Sequence, residues 1–363
     1  MAEPATGVAA AMPAAPYFYT PVVMLLALAC IAGGGAWPLV LAGWLLFGHA
    51  ALEWAMGNRF PARNAAPPAE AWPFTLALVL VLPLQAAILA FGLWRLTLAP
   101  EGIAMPGPVA TLDWIAIALL LGITGGSYGI TAAHELVHSR AGWQRAAGIV
   151  LLLFAHIPHF RIEHVHNHHP NVGTPLDPAT ARAGEALHAF IPRSLVGQYR
   201  SAWRIEAERM RRRGRPAHGI GNRMIQYLGF QLALDLGVLA LFGWAGLAVF
   251  LAQALVAVWL LESVNYIEHY GLVRQPLPGK PGRYEPLAGR HCWNAGQAAT
   301  NIGLYNLGLH SAHHLEASRT YPSLYNAPDM PQLPSGYAGS VLLASVPPLW
   351  HRIMAPRLAR AVG

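Results

Sequence analysis

The sequence predicts an all-α integral membrane protein: a bundle of about six transmembrane helices with a histidine-rich metal site at its cytoplasmic end. Three observations support this prediction. Of the 363 residues, 55% are hydrophobic and only 11% are charged, whereas about a quarter of a soluble domain is charged. Long apolar runs recur along the chain, as membrane helices require. There are also 17 histidines, most of them in short clusters.

Six apolar stretches are long enough, or nearly so, to cross a bilayer, which takes about 20 residues in a helix. The first two form a predicted hairpin turned at three consecutive glycines, and the last two are joined by a very short turn. The predicted spans are Tyr19–Ala32, Trp37–Trp54, Pro73–Leu98, Leu112–Ala133, Met224–Phe242 and Ala245–Tyr266.

Outside these six stretches the sequence gives weaker indications of secondary structure and domain limits. Residues 1–16 are rich in alanine, proline and glycine, and we predict a disordered tail there. Residues 17–363 are predicted to form one domain with a polar cytoplasmic insert at about 159–223. The apolar segment Ala146–Ile157 is too short to span, so a re-entrant or interfacial helix is expected there. A second one is expected at Ser335–Pro348.

The net charge of +7 comes almost entirely from arginine. In so apolar a chain, this charge indicates membrane topology rather than nucleic-acid binding. Six spans would place residues 58–72, 134–223 and everything after His269 on one side, together with most of the arginines. The positive-inside rule makes that side cytoplasmic. We therefore expect a bacterial-type inner (plasma) membrane protein with its active site on the cytoplasmic side.

Four histidine clusters carry the functional prediction. HELVH (134–138) closes the fourth span, EHVHNHH (163–169) follows it, NYIEH (265–269) closes the sixth, and HSAHH (310–314) comes last. Spacings of three and four residues place imidazoles on one helical face. By this pattern His164 and His168 are expected to share a face, while His166 points elsewhere. The nine predicted ligands are His134, His138, His164, His168, His169, His269, His310, His313 and His314.

So many histidines at one membrane face would repel each other if charged and would be costly to bury unpaired. Metal binding explains both their number and their neutral state. Nine imidazoles exceed the needs of one tetrahedral zinc but suit two metals, and imidazole alone does not select iron over copper, zinc or nickel. The main rival is a zinc protease built on the HExxH of 134–138, with Glu135 as its base. A metal transporter or carrier fits the pattern less well.

Five carboxylates accompany the clusters. A metal-bound imidazole usually donates its second N–H to such a group, so we predict that they orient the histidines. Salt bridges to Arg140 or Arg161 are the alternative. The five are Glu135, Glu163, Glu262, Glu268 and Asp177.

At these residues the sequence resembles the membrane alkane monooxygenases (alkane omega-hydroxylases), close kin of xylene monooxygenase within the membrane fatty-acid desaturase-like superfamily. The resemblance covers most of the chain after about residue 50. The matching stretches are HELVH (134–138), EHVHNHHPNVGTPLDPATA (163–181), IPRSLVGQYRSAWRIE (191–206), NYIEHYGL (265–272), GRYEP (282–286), Trp293-Asn294, and HSAHH followed by RTYPSLYNAPDMPQLPSGY (310–337).

The resemblance implies two non-haem irons held by the nine histidines, O2 as co-substrate, and electrons from a separate rubredoxin or ferredoxin. It also implies hydroxylation of the terminal carbon of an alkyl chain. The sequence departs from the alkane hydroxylases at Gly308-Leu309 and Ser311-Ala312, where Gln-Arg and Ser-Asp are typical. Two alternatives of the same superfamily therefore stay open: oxidative decarboxylation of medium-chain fatty acids to terminal alkenes, and desaturation.

A lipid-like substrate needs an apolar channel among the spans. The tryptophans Trp44, Trp54, Trp94 and Trp114 are candidates for its wall, and Trp54 and Trp114 are the predicted substrate-binding residues. If the substrate is a carboxylate, an arginine must pair with it, and Arg161 and Arg182 are the candidates.

Overall fold

A computed structural model describes residues 12–57, 68–99, 108–327 and 329–362. Within these ranges the regular elements are all helical, and β-pairing is limited to two isolated bridges. The predicted all-α class is thereby confirmed. Of the predicted disordered tail, residues 1–11 lie outside the described residues, and Ala15 and Pro16 already belong to the first helix.

The helices are numbered in chain order, and the short π-helical turns are merged into the helices that contain them. They are α1 (Ala15–Gly33), α2 (Trp37–Met56), α3 (Trp72–Thr97), α4 (Thr111–His138), α5 (Gly142–Phe154), α6 (160–171), α7 (Leu187–Arg212), α8 (Arg223–His269), α9 (Ala298–Gly303), α10 (His310–Leu315), α11 (Tyr337–Ala344) and α12 (Pro347–Val362).

Five of the described helices, α1 to α4 and α8, are long and apolar enough to cross a membrane. The protein is an integral membrane protein. Helix α8 has 47 residues, and Gly243 interrupts it with a φ of +66°. Glycine adopts this left-handed conformation without the steric penalty that other residues meet. The break divides α8 into two arms that match the predicted fifth and sixth spans, and the count of six crossings stays a prediction.

Helix α4 lies at the centre of the bundle. In its most apolar window 78% of residues are buried, against 28% for α2, which lies at the periphery. Helix α4 packs against α2 and α8, and its last turns pack against α5. Because α5 has 13 residues, it is too short to be a candidate span, as the sequence predicted. The centre of the bundle therefore leads directly to the histidines at the end of α4.

Three π-helical turns interrupt the described helices, at Trp44–Gly48, Thr124–Gly129 and His164–His168. Such turns are rare and occur mostly at functional sites, because each one rotates the residues that follow it. The polar insert is built from α6 and α7. Helix α7 packs on both α6 and α8, so it holds the middle histidine cluster against the end of the last long helix.

Candidate metal centre

The ends of α4 and α8 and the short helices α6 and α10 bring the four histidine clusters together. The nine predicted ligands face one another, and seven of them are buried while His138 and His169 are partly buried. His166 is exposed, as expected from its position off the shared face. The site therefore forms where the central helix α4 and the longest helix, α8, end, with α6 and α10 closing it.

Eight of the nine histidines form two groups of four. Within each group one ring nitrogen of every histidine lies within 4.8 Å of the others. Group one contains His134, His138, His164 and His313, and group two contains His168, His269, His310 and His314. Two of the three i, i+4 pairs, His134–His138 and His310–His314, stay within one group, as helical spacing predicts.

The middle cluster differs from its α-helical expectation. His164 and His168 do not serve the same group, because the π-helical turn inserts an extra residue between the two faces of α6. His164 turns to group one and His168 to group two, with ring centroids 5.1 Å apart. One short helix thereby supplies both groups and sets their spacing.

His169, the ninth histidine, completes group one. Its Nε2 atom lies 3.2 Å from Nε2 of His138 and 3.1 Å from Nε2 of both His164 and His313. Its ring centroid is also 4.5 Å from that of His314 in group two. His169 therefore lies between the groups, and its Nε2 atom belongs with group one by distance.

The nitrogen contacts fit metal ions and fit hydrogen bonding poorly. A neutral imidazole carries one N–H, so the Nε2 of His169 can satisfy at most one of the three nitrogens around it. In group two, Nε2 of His310 lies 3.1 Å from that of His269 and 3.0 Å from that of His314. Nε2 of His134 and His168 is buried without a partner among the described residues. A cation bound in each group would remove both the close nitrogen–nitrogen contacts and the unpartnered nitrogens, because each of these ring nitrogens would then coordinate the cation.

The electrostatics of the site keep these imidazoles uncharged and so able to bind a metal. Burial lowers the pKa of His164, His169 and His313 well below the ordinary value, and the neighbouring imidazoles lower it further. These side chains are therefore neutral near pH 7, and the neutral ring is the form that binds a metal.

Two carboxylates lie against the outer nitrogens of group two. An Asp177 oxygen lies 3.0 Å from Nδ1 of His168, and the Thr180 hydroxyl donates to the same carboxylate. Burial is the largest single effect and lowers the pKa of His168, but the charge and hydrogen bond of Asp177, together with the charges of Glu163 and Glu268, outweigh it and leave the pKa raised. A Glu268 oxygen lies 3.2 Å from Nδ1 of His310, and the Tyr337 hydroxyl donates to it at 2.5 Å. The Asp177 bond fixes the orientation of the His168 ring, as the carboxylate partners of metal-bound histidines do, whereas Glu268 lies beside Nδ1 of His310 without a hydrogen bond to it.

The other three predicted carboxylates lie near the site without bonding to a ring nitrogen. Glu135 accepts from the backbone N–H of Tyr321 and lies 3.8 Å from Nδ1 of His134. Glu163 accepts from the amide of Asn167, and Glu262 accepts from the amide of Gln198 on α7. Glu163 therefore braces α6, and Glu262 joins α7 to α8.

An apolar cavity opens beside both groups. Between α4, α6 and α8 it is lined by His134 and His164 of group one and by His310 of group two, together with aliphatic residues such as Ile130 and Leu261. A second cavity continues from it toward α2. Four residues, Gly126, Thr131, Val264 and Leu307, line both cavities. A long apolar molecule entering between the helices would therefore reach the histidines.

Comparisons with known proteins agree with this site. The model of the fatty acid desaturase family matches residues 112–338, which include every histidine of both groups. The chain belongs to the fatty acid desaturase family. In that family it lies with the alkane and xylene monooxygenases, as the relatives show.

Three relatives illustrate the match. Alkane 1-monooxygenase 1 of Pseudomonas aeruginosa is 44% identical over 252 residues, 69% of this chain and 65% of that protein's length. Alkane 1-monooxygenase 2 of the same organism is 38% identical over 328 residues, 89% of this chain and 84% of the relative. The hydroxylase component of xylene/toluene monooxygenase of Pseudomonas putida is 30% identical over 348 residues, 94% and 88% of the two chains.

Two site residues of this family member were not predicted as such from the sequence. Tyr337 begins α11 and reaches Glu268, and Asn294 accepts from the N–H of Ser311 and donates to its hydroxyl. The two bonds between Asn294 and Ser311 fix the first turn of α10, the helix that carries three of the predicted ligands. Both contacts join residues far apart in the chain, so local spacing gives no signal for them. Only their place in the stretches that carry the resemblance, PSGY and Trp293-Asn294, could have pointed to them.

The two predicted substrate-binding tryptophans lie outside the two cavities beside the histidines. Trp54 is 86% exposed on α2, and Trp114 is partly buried against the apolar core. Neither lines either cavity. Trp54 suits the predicted lipid-facing surface, where tryptophan is common near the interface. Arg161 and Arg182, the predicted carboxylate partners, do not line these cavities either.

Replacing Asp177 with asparagine is expected to weaken metal binding by roughly 10–100-fold, as loss of such partners typically does. The change keeps the shape of the side chain but removes the negative charge beside Nδ1 of His168. Retention of metal during titration with a chelator measures the effect. Asp235→Asn is the matched control, because Asp235 lies 2.9 Å from Nε2 of His156, a histidine in neither group. Equal metal retention in both variants would contradict the role of Asp177.

Proposed function

We propose that this protein is a membrane non-haem diiron monooxygenase that hydroxylates the terminal carbon of medium-chain alkanes or alkyl groups. The observation that carries the proposal is the pair of histidine groups beside one apolar cavity, with residues of both groups in its wall. The names of the relatives, alkane 1-monooxygenase and xylene/toluene monooxygenase, support the same reaction. The substrate class is lipid-like, and O2 is the oxidant.

The proposed ligands are the nine histidines, with Asp177 orienting His168 and Glu268 lying beside His310. Histidine-rich sites accept several metals, and the proposal of two irons rests on the family. When bound, a pair of iron ions supplies the O2-activating chemistry. The overall reaction takes an alkane, O2, two electrons and two protons to an alcohol and water. The electrons must come from outside, and we propose a rubredoxin or ferredoxin as the donor.

The chain itself positions the substrate and keeps water out. Aliphatic side chains of α4 and α8 line the cavity up to His134, so an alkyl chain is held by burial, worth about 0.8 kcal/mol per CH2. Such binding has no polar anchor and therefore orients the substrate by shape. Because the cavity holds the C–H bond beside the histidine groups, the reacting groups do not have to meet by diffusion for each turnover. Excluding water from the cavity would also prevent competing reactions.

A basic groove is the proposed docking site for the electron donor. It lies between α12 and residues 329–333 and is lined by Arg357, Arg360 and Arg290, with buried Trp293 in its wall. The backbone N–H of Trp293 donates to the carbonyl of Glu268, one residue before His269. The groove therefore joins a positive surface to a group-two ligand by a short path, and acidic carriers favour such surfaces. We place this face, with the metal centre, on the cytoplasmic side of the inner membrane.

Charge reversal at Arg357 and Arg360 is expected to raise the KM for an acidic donor about tenfold and to reduce its salt dependence, because steering charge is lost. Turnover measured against donor concentration at several salt concentrations tests this. Arg352→Glu is the control, since Arg352 is an exposed arginine of the same helix outside the groove. Turnover supported by dithionite should not change in any of these variants. If the KM for the donor is the same in the Arg357 and Arg360 charge-reversal variants as in Arg352→Glu, the donor docks elsewhere.

The rival functions fit the site less well. In a zinc protease, one position on the metal must stay open for water. His134 and His138 instead share their group with His164 and His313, so four imidazoles already complete a tetrahedral shell. A fatty-acid decarboxylase would need a cation for the carboxylate. The two joined cavities have no lysine or arginine in their walls, whereas Arg140 and Arg319 line a third cavity that reaches His138, so a carboxylate substrate would have to bind there.

The product distribution tests the proposed function. Purified protein, reduced and exposed to O2, is incubated with decane and, separately, with dodecanoic acid, and the products are read by mass spectrometry. We expect 1-decanol from decane. Conversion of dodecanoic acid to 1-undecene and CO2 without 1-decanol would move the function to decarboxylation. A carbon–carbon double bond without oxygen insertion would move it to desaturation.

A further inference from the structure

The cavity that extends toward α2 contains one polar side chain that the hydroxylation of an alkane does not need. His49 lies on α2, is only 7% exposed, and lines this cavity. An ionisable residue inside a membrane segment is costly to bury and marks a functional site by default. The other cavity walls are mostly aliphatic, including Leu260, Val264 and Leu304.

The polar neighbours of His49 are already satisfied. Glu53, one turn further along α2, accepts from the Thr300 hydroxyl and from the backbone N–H groups of Ala338 and Gly339. The Tyr337 hydroxyl donates to Glu268, and the Thr131 hydroxyl donates to the carbonyl of Ser127. The Glu53 bonds join α2 to α9 and α11, the Tyr337 bond joins α11 to α8, and the Thr131 bond lies within α4, so these groups are not free to bind a ligand.

His49 is different. Its Nδ1 lies 4.0 Å from a Glu53 oxygen, which directs that edge of the ring toward the carboxylate. Its Nε2 is buried and has no hydrogen-bond partner among the described residues. Among the side chains that line this cavity, it is the one buried polar atom left without a partner. Leaving a buried polar group unpaired costs about 1–3 kcal/mol, so a bound partner for Nε2 is favoured.

We propose that His49 is a substrate-recognition residue that binds a hydroxyl group on the alkyl chain, remote from the carbon that is oxidised. This inference rests on the proposed function and names a substrate class for the same site: medium-chain alcohols, which would be converted to diols. The two cavities share Thr131, which lies one helical turn, about 4.5 Å along the axis, before His134. A chain bound at His49 therefore extends toward the metal centre.

The charge of the cavity selects a neutral group. Glu53 lines the same cavity, and the wall contains no lysine or arginine, so a carboxylate would meet a like charge without a counterion. A cation would lose its hydration and find Glu53 already bonded to three donors. A hydroxyl both donates and accepts, and so it pairs with either tautomer of a neutral imidazole.

The test compares 1-dodecanol with dodecane. In His49→Leu, the ratio of kcat/KM for the alcohol to that for the alkane is expected to fall about five- to tenfold, the value of one hydrogen bond. His49→Gln keeps a side chain that donates and accepts, and it should retain most of the preference. An equal loss on both substrates in His49→Leu would show a structural role and overturn the proposal.

Binding provides a readout that does not depend on turnover. Tritiated 1-dodecanol is titrated onto the protein in nanodiscs, with and without iron, and the same fold-loss of affinity is expected in His49→Leu but not in His49→Gln. Unchanged affinity in His49→Leu would overturn the proposal even if the enzyme is active. If neither substrate is oxidised while alcohol binding still depends on His49, the proposed hydroxylation fails and the recognition site stands.

Discussion

Replacing His313 or His314 with alanine is expected to abolish oxidation of decane, and each variant should lose a different metal ion. The two residues are adjacent on α10, yet His313 belongs to group one and His314 to group two. Loss of a direct ligand should exceed the roughly 10–100-fold effect of losing a supporting residue. Each variant should retain about one ion per chain, and the remaining ion should have the spectroscopic signature of the undisturbed group.

The control for this pair is His166→Ala. His166 lies in the middle histidine cluster but is exposed and belongs to neither group, so metal content and turnover should match those of the unaltered protein. If His313→Ala and His314→Ala lost both ions together, or left identical spectra, the division into two groups would be wrong.

Replacing Val264 with phenylalanine is expected to reduce turnover of decane by roughly 100-fold, since small displacements of a reacting bond have effects of this size. Val264 lines both cavities at the point where they meet, so a larger ring there closes the route to His134 and His310. The metal content should stay the same, because Val264 is not among the proposed ligands. Turnover of decane together with iron per chain measures both effects.

Leu255→Phe is the matched control, because Leu255 is on the same helix and is 72% exposed on its outer surface. It should leave turnover unchanged. Unaltered turnover in Val264→Phe would show that the substrate does not pass along the joined cavities. A loss of iron in that variant would show that the change disturbed the centre rather than the route.

Much of this architecture follows from local sequence patterns. Apolar length predicted the long helices, and Gly243 divides the longest of them where the sequence placed a turn. Four-residue spacing correctly paired His134 with His138, because α4 remains α-helical through its last turn. The same rule paired His164 with His168 wrongly, because a π-helical turn there depends on packing against neighbouring helices rather than on the residues of α6 alone.

The finer features of the site depend on contacts between distant residues. Tyr337 and Glu268 are separated by 69 positions, and no periodic pattern connects them. Aromatic content suggested Trp54 as a channel residue, yet its position on the outer face of α2 leaves it 86% exposed. His49 lies five residues before Trp54 on α2, belongs to none of the four histidine clusters and carries no motif. Tertiary packing decides which residues of an apolar helix face the neighbouring helices and which face outward.

The most direct test of the account is the amount of iron and zinc in the purified, active protein, measured by mass spectrometry on the same sample that is assayed with decane. Two groups of histidines and a monooxygenase function predict about two irons per chain and 1-decanol as the product. One zinc per chain without an oxygenated product would contradict the diiron centre and the proposed function together.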